Sequence, residues 1–497
     1  MGWRRRGGRC SCGSGSKAKR CCGRRTADDQ PAEGPPVPEA WSDQELADLQ
    51  APTAKAAPAA ESAEVACREL IESGHPDHAP GAELELGRLL EARGDRDGAE
   101  AAYRAVSKSG HPDHAPKAAL HLGMLHESVG NVEGAEAAYR TAIDSDHPDQ
   151  APRASLRLAG LLADRGDAPG SKSAYRRTIA SAHPDQAPRA AFDLAVLLAG
   201  RGEVRGAKAA YGRAMRSGHP GAAPEAAVNL GVLLAGEGDV EGARSAFRQA
   251  LQSGHEQAAA PAAVNLGILA EDDGDVGGAK AAYQTALDLG HPDEAPRASF
   301  YLAGLLDDQG DPEGAESAYR WAIRSSHPHQ APRSAFNLGL LLAGRGDVTQ
   351  AKWAYREVIA SGHPDHAPEA AVNLGVLLAD DRDAAGARAA YESAIASDCE
   401  DAVCSATRNL GLLLAGQGDT HGAEERFRLV IESRHPDQAP EAAVNLGVLL
   451  AVRGDVEGAE VEFRRAIESG HPRAAPLGAR NLGILLAGQT DLEKLAG

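Results

Sequence analysis

Four thiols crowd one short stretch near the start of the chain: Cys10, Cys12, Cys21 and Cys22. Sulfur ligands in that number suit a tetrahedral Zn2+ site. Gly13 and Gly15 lie between the two pairs and let the backbone turn tightly enough to bring them together. Lys17, Lys19 and Arg20 would offset the net negative charge of a four-thiolate zinc site. An intracellular cysteine cluster of this kind is more often a metal site than a disulfide pair. A second set of polar residues is spread along the chain: Asn229, Asn265, Asn337, Asn373, Asn409, Asn445 and Asn481. A carboxamide both donates and accepts hydrogen bonds. A row of them can therefore hold an extended peptide backbone whatever its side chains. The competing reading is that each Asn bonds a neighbouring segment and recurs by duplication.

Eleven recurring histidines, from His75 to His471, invite a metal reading as well. Geometry opposes shared ligation, because a zinc–nitrogen bond is about 2 Å and successive equivalents sit at least a helix diameter apart, about 10 Å. His75 with His78, His111 with His114, and His363 with His366 can pair locally, but two ligands make a weak site. The histidines are read instead as structural, each beside a helix C-terminus where its N–H meets free carbonyls. Cys399 and Cys404 take the place of the His and second Pro of one junction. They read as ordinary buried cysteines, with a redox or metal pair as the alternative.

What positions these residues is a repeat of 36 residues without insertion or loss. It opens on His75, His111, His147, His183, His219, His255, His291, His327, His363, His435 and His471, with Cys399 in the remaining slot. Such self-similarity decides the fold before any local propensity does. Each unit reads as two helices, A and B. In the unit starting at His363, Pro368 falls in the first turn of helix A, where an N–H has no intrahelical partner. Asp365 ahead of it is placed to serve as N-cap. Val372, Leu374, Val376, Leu377 and Leu378 give a surface too broad for a half-exposed strand. The recurring Gly-Asp pair, as at Gly238-Asp239, Gly346-Asp347 and Gly454-Asp455, predicts a helix stop followed by a new N-cap. Helix B carries Ala387, Ala390, Tyr391, Ala394 and Ile395 at spacings of three and four. The segment Ser361-Gly362-His363-Pro364 ends the previous copy, with Gly as left-handed C′ residue and Pro forbidding continuation.

Those residues resemble the tetratricopeptide repeat. Leu230-Gly231, Ala243, Phe247 and Ala250 match its pattern of Leu-Gly in helix A and small, aromatic, small in helix B. Leu122-Gly123, Ala135, Tyr139 and Ala142 match it again. Two departures stand out: the period is 36 rather than the usual 34, and the Trp near the start of helix A is missing. The longer period also resembles the related Sel1-like repeat. Either resemblance implies an all-α fold, an α-solenoid wound as a right-handed superhelix of about 11–12 helix-turn-helix units over residues 58–488. It further implies that helix A lines a concave face and that the residue before Leu-Gly points into it. That residue is the Asn of the seven units above. Elsewhere it is Glu85, His121, Arg157, Asp193 and Tyr301. Repeat proteins of this family that bind unstructured peptides use such an asparagine ladder.

Residues 1–25 resemble the SEC-C motif, the zinc-binding tail of the bacterial translocation ATPase SecA, which also occurs on many unrelated bacterial proteins. The match is Cys-x-Cys, eight residues, then Cys-Cys, with Gly-Ser-Gly and a lysine-rich middle; Ser11 stands where Pro is usual. The resemblance implies Cys10, Cys12, Cys21 and Cys22 as the ligands. Residues 26–57 are rich in Pro, Ala and acid and read as a flexible linker. Residues 489–497 form a short C-terminal tail. The last unit has a helix A without a full helix B, so self-association through that end is expected where nothing else covers it.

The chain of 497 residues carries a formal charge of −19, while its first 25 residues hold nine Lys or Arg and no acid. That balance argues against whole-protein nucleic-acid binding and confines any such role to residues 1–25. It favours basic partners with salt-sensitive binding. No apolar run approaches the roughly 20 residues that span a bilayer, and no apolar segment follows the N-terminal arginines as in a secretion signal. A cytoplasmic location is the expectation. Phosphate-loop, nucleophile-elbow and His-Glu-x-x-His signatures are missing, so no enzyme is expected. The leading functional reading is a scaffold that binds a peptide or partner protein in the groove. The alternatives are a nucleic-acid-associated regulator using the basic zinc segment, or an export- or chaperone-linked adaptor.

Overall fold

A computed structural model describes residues 57–496. The four thiols of residues 10–22 and the linker up to residue 56 lie outside the described residues. The described chain contains 24 helices and no strand, from α1 (Ala57–Glu72) to α24 (Ala474–Ala496). Helix α1 packs as a helix B ahead of the first full unit, and the buried Cys67 takes the slot that an aromatic ring fills in later copies. Even-numbered helices are the A helices, odd-numbered ones the B helices. Helix α24 continues through the residues read as a tail.

The chain forms two compact units, one ending at Leu269 and one beginning at Ala270. The same packing rule operates inside each. A helix A packs on its own helix B, and that helix B packs on the next helix A. In the first unit α2 (Ala79–Ala92), α4 (His114–Ser128), α6 (Gln150–Asp164), α8 (Gln186–Gly200) and α10 (Ala222–Gly236) also touch one another in succession. In the second unit α14 (Glu294–Asp308), α16 (Gln330–Arg345), α18 (His366–Asp380), α20 (Glu400–Gly416), α22 (Gln438–Val452) and α24 do the same. No helix B approaches the next helix B among the described residues. The A helices therefore crowd the inner side of each unit and the B helices splay on the outer side.

The core repeats with the sequence. Tyr103, Tyr139, Tyr283, Tyr355, Phe247, Phe427 and Phe463 are fully buried in helix B, between alanines such as Ala135, Ala142, Ala243 and Ala250 that have no exposed surface. The Leu-Gly glycine of helix A makes room for this ring. A Cβ built on Gly339 would lie 2.5 Å from Cε1 of Tyr355. The midpoint turn behaves as its residues require. Gly238, Gly346 and Gly454 adopt φ of 84°, 83° and 85°, a conformation that costs a residue with a side chain. The Asp that follows caps helix B: Asp239 accepts from the Gly242 N–H at 3.0 Å and Asp455 from the Gly458 N–H at 2.9 Å.

Helix A starts differently from the expectation. Asp365 sits at the N-cap position, but its side chain makes no capping bond. At most junctions the histidine supplies the cap. Nδ1 of His147 accepts from the N–H groups of Asp149 and Gln150 at 3.1 and 3.2 Å. His183, His219 and His327 repeat the pattern. The imidazole is thus an acceptor at the start of helix A, not a donor to carbonyls at the end of helix B. A ring whose Nδ1 accepts carries its proton on Nε2. That nitrogen turns back to the Asp of the preceding junction, as His183 to Asp149 at 3.6 Å and His435 to Asp401 at 2.6 Å.

Candidate peptide-binding face

On an α-helix, positions four before and three after a given residue share its face. Around the residue preceding Leu-Gly, these three positions make one face of helix A, which in most repeats keeps some contact with solvent. In the second unit they hold an amide and an aliphatic side chain in almost every repeat. Asn337, Asn373, Asn409, Asn445 and Asn481 are all half-buried. Three residues on stand Leu340, Val376, Leu412, Val448 and Ile484. Leu340, Leu412, Val448 and Ile484 are exposed by 40%, 46%, 44% and 64%. In the first unit Asn229 and Asn265 are half-buried in the same way, with Val232 and Ile268 beside them. Val264, Phe300 and Val444, one position before the ladder, are buried and pack in the core.

The asparagines differ in what lies beside them. Tyr211, Tyr319 and Tyr355 lie beside Asn229, Asn337 and Asn373 of the next helix A, and each amide pulls its phenol down against the upward push of burial. Burial pushes the Tyr211 phenol up to about 12, and the amide partly offsets it. Where helix B carries Phe instead, as with Phe247, Phe427 and Phe463, the following Asn265, Asn445 and Asn481 have no side-chain partner among the described residues. Asn409 accepts from Arg408 at 3.3 Å. One bond to a tyrosine leaves a carboxamide with further donor and acceptor capacity.

The remaining ladder residues sit on the same rings. His121 stacks on Tyr103 with centroids 5.5 Å apart, and Tyr301 stacks on Tyr283 at 5.8 Å. Burial, then Arg88 and Arg153, push His121 down to about 4, so the ring is neutral at pH 7. Burial and the nearby Glu225 push Asp193 up to about 7 against the opposing Arg189.

Of the two cysteines read as buried, Cys404 is buried and Cys399 only half-buried. Cys399 stands at the N-cap of α20 without a capping bond, and Cys404 is buried with Sγ 3.5 Å from the Ser433 hydroxyl. Neither forms a disulfide. Among the described residues no three His, Cys, Asp or Glu side chains converge as a metal would require. No described helix is long and apolar enough to cross a membrane. Leu477 and Ile484 on α24 are exposed at the end of the array.

A family model described as tetratricopeptide repeat matches residues 84–151, 120–187, 192–263, 264–335, 305–364, 336–402 and 408–479. No curated protein sequence matches the chain. Among solved structures, a protective antigen of uropathogenic Escherichia coli displaying an SLR fold is 19% identical, with 86% of this chain and 90% of that one covered at a TM-score of 0.45. Yeast Tom70 is 12% identical, with 83% and 97% covered at a TM-score of 0.35. PilF of Pseudomonas aeruginosa is 21% identical, with 42% and 90% covered at a TM-score of 0.34.

Proposed function

Since the chain belongs to the tetratricopeptide repeat family, we propose that it is a non-enzymatic scaffold that holds an extended segment of a protein partner against its A helices. The observation that carries this reading is the paired stripe of the second unit. Half-buried amides at Asn337, Asn373, Asn409, Asn445 and Asn481 run beside aliphatic side chains left in water at Leu340, Leu412, Val448 and Ile484. Amides serve a peptide backbone, and exposed aliphatics lower their free energy when a partner covers them. Successive A helices lie about 10 Å apart, close to the length of three extended residues at about 3.4 Å each. One Asn per three partner residues suits recognition of backbone rather than of sequence.

The N-terminal thiols Cys10, Cys12, Cys21 and Cys22 belong to this proposal as a separate Zn2+ module. Their type and spacing support it, as does the resemblance to SEC-C. The test of the scaffold reading is a triple variant, N337A/N373A/N409A. A partner is first recovered from the native host by affinity purification and identified by mass spectrometry. The variant is expected to weaken capture of that partner at least tenfold while its far-UV circular dichroism stays unchanged. Capture at full strength by a folded variant would reject the amide stripe as the binding element.

A further inference from the structure

The first unit presents a different inner face, and its charge is opposite to that of the protein. In the three face positions of α2, α4, α6 and α8 stand Arg88, Lys117, Arg153, Arg157 and Arg189, against only two carboxylates, Glu85 and Asp193. Glu85 is already engaged by Arg88 at 3.4 Å. Lys117, Arg153 and Arg189 enter no ion pair among the described residues, although carboxylates outnumber cations by 71 to 52 in the chain. On the outer side carboxylates stand beside several of the B-helix cations, as Glu100 beside Arg104 and Glu136 beside Arg140 at 2.6 Å. Asp193 and Glu225 oppose Arg189, whereas Lys117 and Arg153 repel their cationic neighbours without an ion pair to offset the cost. An anionic group lying along it would relieve that cost.

We propose that the inner face of α2–α8 binds an acidic, extended peptide segment, with Lys117, Arg153 and Arg157 at its centre and Arg88 and Arg189 at its edges. The inference rests on the reading of the A-helix face as the binding face, and it names the partner chemistry for the first unit. The expectation of a basic partner, drawn from net charge alone, does not apply to this face, because the local field is set by groups within about a Debye length, roughly 8 Å. Burial is the main cause of the neutral state of His121, and Arg88 and Arg153, from the helices on either side, add to it. Three steps between four A helices, about 10 Å each, span about nine extended residues. A carboxylate on every second or third residue would meet one cation per helix, and the flat guanidinium forks of Arg153 and Arg157 suit two-point contact with a carboxylate.

The experiment uses the full chain and fluorescein-labelled nonapeptides read by anisotropy: a Glu/Asp-rich peptide, a Lys-rich peptide of the same length, and a single-stranded DNA 12-mer. The expected order is acidic peptide tightest, with at least tenfold weaker binding at 0.5 M NaCl. Variant K117E/R153E should weaken the acidic peptide at least tenfold. Variant R104E/R140E makes the same change of charge on the outer side and should leave binding within twofold. Equal weakening by both variants would reduce the effect to net charge and overturn the proposal. So would preference for the Lys-rich peptide, and tighter binding of the DNA would assign the face to nucleic acid instead. N337A/N373A/N409A lies in the second unit and should bind the acidic peptide normally, so the amide stripe and the cationic face fail independently.

Discussion

Two glycines on one helix should respond to the same substitution with opposite signs. Gly339 and Gly344 both lie inside α16. A Cβ at Gly339 would fall 2.5, 2.8 and 2.9 Å from Cε1, Cδ1 and Cζ of Tyr355, a ring that is 1% exposed. Ordinary carbon–carbon contact is about 3.5–4.0 Å, so the ring or the helix must retreat by about 1 Å. Overpacking of a filled core costs about 1–3 kcal/mol, and three short contacts with a rigid ring place this case near the upper end. Replacing Gly by Ala inside a helix returns about 1 kcal/mol. Gly339→Ala should therefore destabilise by about 2 kcal/mol. A Cβ at Gly344 meets nothing within 4 Å. Gly344→Ala should stabilise by about 0.5–1 kcal/mol through the backbone alone. Long repeat arrays do not unfold as two states, so a single melting temperature would blur the comparison. Amide exchange read by mass spectrometry on peptides from α16 and from the following helix, α17 (Val348–Ser361), reports the local opening. Gly339→Ala should speed exchange there by about 30-fold and Gly344→Ala should slow it by about two- to fivefold, at 1.4 kcal/mol per tenfold. Slower exchange in Gly339→Ala would refute the claim that this glycine exists to seat the ring.

Other perturbations test separate links. Asp455→Ala removes the acceptor of the Gly458 N–H at the start of helix α23 (Val456–Glu468) and should cost about 1 kcal/mol in local exchange. Ala182 holds φ of 55° in a slot where most copies have glycine; Ala182→Gly should stabilise its junction by up to about 1 kcal/mol, the left-handed penalty less the entropy that glycine adds to the unfolded chain. His121 has a folded-state pKa of about 4, below the unfolded value near 6.5. The unfolded chain takes up its proton first, so the neutral ring's contribution is whole above about pH 6.5 and is lost as pH falls towards 4. His121→Phe keeps an aromatic ring against Tyr103, and amide protection factors of α4 from pH 7.5 to 4.5 should fall less steeply for it than for the parent. The full chain should bind one Zn2+, measured by emission spectroscopy after dialysis, and C10S/C12S should bind none while its helical content stays unchanged; a metal-free parent would sink the zinc proposal.

Much of the fold was legible because one text is written many times. The Gly-Asp pair, the early Pro and the Leu-Gly facing an aromatic each state a local steric or capping rule that needs no distant partner. What the sequence left open depended on rotation and on neighbours. The run Leu340-Leu341-Leu342 reads as uniform core, yet Leu340 is 40% exposed while Leu341 and Leu342 are 9% and 1% exposed. Only packing against the adjacent helices fixes which of three identical residues looks outward. The approach of Tyr355 to Asn373 joins residues of different repeats, and nothing within one copy announces it. The capping histidines were misassigned for a related reason. A histidine between two helices can serve either end, and only the placed ring shows that Nδ1 accepts from the helix ahead. The cationic inner face was hidden by the net charge, which sums over both sides of the molecule.

The junction imidazole has a consequence for how such a chain can change over time. Most of these rings are tied at one nitrogen to the helix they open and, at His147, His183, His327, His435 and His471, approached at the other by the previous junction's carboxylate. A single inserted or deleted residue between two such rings would slide one tether out of reach while keeping the other. Drift in length is therefore penalised twice, whereas copying or losing a whole module leaves every tether satisfied. Growth by complete cassettes, with diversification confined to the three inward positions of helix A, is the route these junctions leave open.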